Sequence, residues 1–141
     1  MNADLKLNIT NETNPLGAVI LGIADDMGPE LDINPVSKFH IENGTYPTEL
    51  SIKAELLTVE NALIAEGIKV YRPENLLGIE QIFTRDIGFV IDDKFVVANM
   101  KEPVRQKEFK GIEHILKTVN PDSILRLPPN ASIEGLSLIH I

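Results

Sequence analysis

Residues 81–100 read QIFTRDIGFVIDDKFVVANM, and this stretch decides the fold. Ile82 to Ile91 supplies two apolar stretches broken by Thr84, Arg85 and Asp86, and Asp92 and Asp93 separate the second of them from the apolar run Lys94 to Ala98. Two such runs joined by two turn-forming residues predict a β-hairpin. Downstream, Pro103 suits the first turn of a helix whose apolar stripe is Phe109, Ile112, Leu116 and Val119, ending before the turn NPDS. Ser123 to Leu127 then reads as another strand. The order from Gly88 to Leu127 is therefore strand, hairpin, strand, helix, strand, which predicts an α/β fold.

Working outward, the first part of the chain reads as a looser copy of the same unit. Gly17 to Ile23 (GAVILGI) is a short apolar run between glycine and Asp25–Asp26, the pattern of a buried strand. Ala24 to Pro47 has no periodicity and many turn formers, which predicts a long ordered loop. Ile52, Leu56, Val59 and Leu63 fall at helical spacing, with Leu57 and Ile64 widening the stripe; Thr48 stands near the start and Gly67 where a C-terminal cap is wanted. Lys69 to Tyr71 is a strand candidate. Repetition of this kind implies a modular architecture.

At 141 residues and 43% hydrophobic, the chain has the size of one domain and enough apolar material for a core. The formal net charge of -8 argues against nucleic acid or an anionic membrane as partner, since both select clusters of lysine and arginine. It suits a cationic ligand loosely, and solubility explains it as well. No apolar run approaches the ~18 residues of a membrane span, and the start MNADLKLNITNETN lacks a secretory profile, so a cytoplasmic protein is expected. There is no cysteine, hence no disulfide and no thiol nucleophile within these residues. No glycine-rich phosphate loop or nucleotide fingerprint occurs, and no pair of histidines has metal-ligand spacing, so no cofactor is implied. The N-x-S/T sites at Asn8, Asn11, Asn43 and Asn130 read as chance matches without a secretory route.

Arg85 and Asp86 interrupt an apolar strand region. On an extended strand neighbouring side chains face opposite ways, so the two cannot both point inward, and one should look into a cleft or onto a partner. An ion pair at a strand end accounts for the segment equally well.

FTRDIGFVI, followed by NMKEPVRQKE and later by IEG, resembles the guanidino-modifying superfamily of amidinotransferases, arginine deiminases and dimethylarginine dimethylaminohydrolases, the penteins. NPLGAVILG resembles that family's opening strand, and HIENGTYPTEL with VYRPENL is similar to bacterial members labelled amidinotransferase. The resemblance runs to Gly135. It implies a five-bladed α/β propeller of ββαβ modules, of which residues 1–135 would form roughly half as the N-terminal part of one domain. It also implies a small guanidino substrate such as arginine. Asp86 would grip the guanidinium, a planar cation whose fork of donors a carboxylate binds well. Arg105 would hold a substrate α-carboxylate; an exposed arginine in a first helical turn is its plain reading. Glu134 matches the glutamate of the family's EGGD motif, which holds guanidinium nitrogens and assists proton movement. In the family a cysteine thiolate attacks the guanidinium carbon and a histidine serves the second half-reaction.

After Glu134 and Gly135 the family's second glycine and aspartate are replaced by Leu136 and Ser137, and residues 136–141, LSLIHI, read as a foreign tail similar to translated adaptor sequence. His40, His114 and His140 match no family position and read as surface or core residues. The expectation is a guanidino-modifying enzyme, transferase or hydrolase, whose cysteine and histidine lie outside this chain, which would be inactive alone. The alternative is a non-catalytic binding module on the same scaffold, as in ribosome anti-association factors. Half a propeller would also leave open strand edges, favouring association.

Overall fold

Hairpin, crossover and third strand assemble as one sheet in the computed structural model, which describes residues 5–133 and 135. Strands β3 (Gly88–Ile91) and β4 (Lys94–Val97) pair antiparallel, and Asp92 takes a φ of 51° at the turn. Strand β5 (Ile124–Arg126) returns parallel to β4, giving the order β3-β4-β5. A parallel return needs a crossover that covers one face of the sheet. That crossover is less regular than predicted: a 3₁₀ stretch at Glu108–Ile112 runs into a short helix at Glu113–Leu116, and Pro103 lies in a turn outside the helix. The stripe still faces inward, with Ile112, Leu116 and Val119 buried against Ile87, Phe95, Val97, Met100 and Ile115.

The first unit has the predicted strand and helix with one addition. Strand β1 (Ala18–Ile20) pairs parallel with β2 (Lys69–Tyr71), and α2 (Glu49–Ala65) connects them. Thr48 caps α2 by accepting from the Ser51 N–H at 3.2 Å, and Gly67 has the positive φ of 76° that ends it. The stretch expected to be a continuous loop contains α1 (Pro35–Glu42). Asn34 accepts from Val36 and Ser37, Ser37 Oγ accepts in turn from the Asn34 N–H, and Pro35 fits the first turn. Asn-Pro, read as turn chemistry, is here a helix start.

The two units meet through residues 81–84. Ile23 bridges to Gln81, and the Thr84 hydroxyl donates to the Ile20 carbonyl at 2.9 Å. The buried Gln81 side chain accepts from Leu76 N–H at 2.7 Å and donates to the Glu74 carbonyl at 2.9 Å, so its polar atoms are satisfied away from water. A side-chain carbon at Gly22 would collide with the Ile82 carbonyl; backbone approaches backbone there.

Candidate functional site

Thr84–Ile87 forms a single helical turn (α3), where an extended strand was expected. Adjacent residues on a helix point about 100° apart. Asp86 thus turns inward at 5% exposure while the Arg85 side chain is 59% exposed. The inward and outward split expected from strand alternation is present, produced by different backbone geometry.

Tight turns continue over 102–112, with Arg105 N–H bonded to the Glu102 carbonyl and Glu108 N–H to the Arg105 carbonyl, both at 3.0 Å. Residues three apart then share a side. Glu108, buried at 4%, takes Arg105 in a fork: Nε donates to Oε1 at 2.7 Å and Nη2 to Oε2 at 3.1 Å. Arg105 Nη1 donates to Asp86 Oδ2 at 3.0 Å. Asp86 Oδ1 is buried with no hydrogen-bond partner among the described residues; Arg85 Nε stands 4.0 Å from it. Three of the roughly five donors of the Arg105 guanidinium are thus engaged by protein carboxylates.

The electrostatics follow from burial. Burial works against the Arg105 charge, but the bond and charge of Glu108, then those of Asp86, outweigh it and raise its pKa. Burial pushes the Glu108 carboxyl above its ordinary value of 4.5, with Arg105 opposing. Glu80 is raised for the same first reason, again with the Arg105 charge opposing. Glu80 also lines an open groove of about 740 Å³ formed with Ile33, Val36, Tyr46, Ile82 and Phe83.

Of the three residues singled out in the sequence, the structure brings Asp86 and Arg105 into direct contact. Glu134 lies outside the described residues. Its neighbours are placed: Ile133 N–H bonds to the Asn99 carbonyl at 3.3 Å, Asn99 Nδ2 donates to the Ala131 carbonyl at 2.8 Å, and a side-chain carbon on Gly135 would strike the Arg85 carbonyl. Gly135 therefore lies against the turn that carries Asp86. Sequence reasoning missed Glu108 and Glu80. Glu108 had a readable signal, an acid three residues after Arg105 inside PVRQKE; Glu80 had none, because only the docking of the two units places it near Arg105. His40 lines the open groove, and its Nδ1 lies 2.9 Å from the Thr45 hydroxyl. His114 Nδ1 lies 4.0 Å from Glu74, and His140 falls outside the described residues. No group of His, Asp and Glu side chains with metal-holding geometry occurs among the described residues, and no described helix is long and apolar enough to cross a membrane.

This α/β arrangement matches part of the fold of amidinotransferases and of a dimethylarginine dimethylaminohydrolase, a likeness that the pentein-like motifs led one to expect. The amidinotransferase SxtG of Microseira wollei, from the saxitoxin biosynthetic pathway, superposes with a TM-score of 0.69 at 24% identity, over 86% of this chain and 42% of its own. The inosamine-phosphate amidinotransferase of Streptomyces griseus gives 0.63 at 19%, over 86% and 43%. A dimethylarginine dimethylaminohydrolase variant, solved as an adduct with S-methyl-L-thiocitrulline, gives 0.68 at 12%, over 90% and 48%. The chain therefore spans less than half the length of these proteins, and at such identities the likeness is one of fold. In sequence, 29 residues, 21% of this chain, are 62% identical to the uncharacterized protein YkgA of Bacillus subtilis (strain 168), covering 10% of that protein. No family model matches the chain.

Proposed function

We propose that these residues form part of a guanidino-modifying enzyme with a closed pentein propeller, and that Asp86 is its guanidinium-binding carboxylate. The observation that carries the reading is the geometry of Asp86, a buried carboxylate that already accepts from one guanidinium, Arg105, and has its second oxygen unbonded among the described residues. In the reaction, Asp86 and Glu134 would hold the substrate cation while a thiolate adds to its central carbon, an amine leaves with a proton, and the amidino group passes to water or to an acceptor amine. Because the sequence contains no cysteine, the thiolate would come from outside these residues, so the chain alone should bind without turning over. Arg105 keeps about two N–H donors for a substrate α-carboxylate, which favours an amino-acid substrate over a bare guanidine.

Calorimetric titration with L-arginine and agmatine tests this. Asp86→Asn should abolish binding of both, and Arg105→Met should remove the preference for arginine. Arginine binding that survives Asp86→Asn would sink the assignment and leave Asp86 and Arg105 as a structural ion pair, the reading that their contact also supports.

A further inference from the structure

We infer that Glu108 is the positioning residue of this site: it grips Arg105 by the Nε–Nη2 edge, restricts that arginine to one bond with Asp86, and so keeps Asp86 Oδ1 open as the acceptor for a ligand guanidinium. The inference deepens the proposed function and rests on Asp86 as the guanidinium carboxylate.

An arginine free to turn beside a buried aspartate closes on both oxygens, because two parallel charge-assisted bonds are stronger than one. Arg105 does not. Its Nε and Nη2 go to Glu108 at 2.7 and 3.1 Å, and only Nη1 reaches Asp86, through Oδ2 at 3.0 Å. A buried carboxylate oxygen without a donor, as Oδ1 is among the described residues, is unfavourable, and rotation of the guanidinium would relieve it. The fork to Glu108 opposes that rotation, and Glu108 is itself buried at 4%, with little freedom to follow. Arg85, at 4.0 Å from Oδ1, is mostly exposed and therefore a movable neighbour. The result is a carboxylate with one oxygen bonded to Arg105 and the other kept in reserve.

Glu108→Gln preserves shape and removes the charge. Its crystal structure is expected to show Arg105 turned onto both oxygens of Asp86, and its affinity for agmatine to fall about tenfold or more, the weight of one charge-assisted hydrogen bond. Adding Arg105→Met to that variant frees Asp86 again and should recover agmatine binding, which a merely structural role for Glu108 would not allow. If Arg105 keeps a single bond to Asp86 in Glu108→Gln, or if the double variant fails to recover, the inference is overturned. If Arg105 turns as expected while the parent chain binds no agmatine, positioning by Glu108 is upheld and the guanidino reading is what fails.

Discussion

The two units share an order of strand, helix, parallel strand, yet they bury their apolar residues very differently. Around β3, β4 and β5 the described core is continuous, from Ile87 through Phe95, Val97 and Met100 to Ile112, Ile115, Leu116 and Val119. In the first unit the described buried hydrophobics are Ile23 and Ala24, beside the junction. Helix α2, seventeen residues long, buries none of its side chains fully: Ile52, Leu56 and Leu63 are half-buried, and Leu50, Leu57, Val59 and Ile64 stand exposed. The second unit has a hairpin partner for its sheet and a crossover lying against it. The first has a two-stranded sheet, which offers a smaller platform than three strands. The difference teaches that one unit carries its own core, while the other depends on what it docks against.

The sharpest way to break the comparison is at Ile112, 1% exposed in the centre of the core. Ile112→Ala should lower unfolding stability by about 3 kcal/mol, in the range for large-to-small core changes, measured by chemical denaturation. A loss under about 1 kcal/mol would mean that the second unit is not the stable centre of the chain. Next is the junction. Gly22→Ala pushes a methyl group into the Ile82 carbonyl, and the expected loss is about 2 kcal/mol. Hydrogen exchange should show it, with protection falling in β1 and β2 before β3 and β4; uniform loss of protection would argue that the two units unfold as one. The smallest effect belongs to Leu57, 55% exposed on α2. Leu57→Ala should change stability by less than about 0.5 kcal/mol. A larger loss, especially one that depends on protein concentration, would show that this face is covered in solution.

Much of the second unit is legible in the residues because its signals are local. The Asp92–Asp93 turn, the runs on either side and the stripe from Phe109 to Val119 agree with each other, so hairpin, crossover and third strand can be read in order. Two stretches defeat that reading for the same reason. Asn34–Pro35 and Thr84–Ile87 each carry residues that suit both a turn and a helix, and the choice rests on hydrogen bonds formed after the chain is placed. For α1 these are the reciprocal Asn34 and Ser37 bonds. For α3, which has no side-chain cap, the contact is from Thr84 to the Ile20 carbonyl, 64 residues away in sequence.

The candidate site divides along the same line. Asp86 stands out in the sequence as half of a charged pair within an apolar run, whereas Arg105 is picked out by the resemblance to the guanidino-modifying family and by itself reads as an exposed arginine. The Arg105–Glu108 pair is local, three residues apart, but that Arg105 rests on Asp86 and that Glu80 stands nearby were decided by tertiary structure alone. Local patterns determine which residues can be helical, extended or buried, because those preferences act over a few neighbours along the chain. Which carboxylate meets which guanidinium depends on bringing segments 19 or more residues apart to within 3.0 Å, and that distance is set by the packing of α3 against the 102–112 turns.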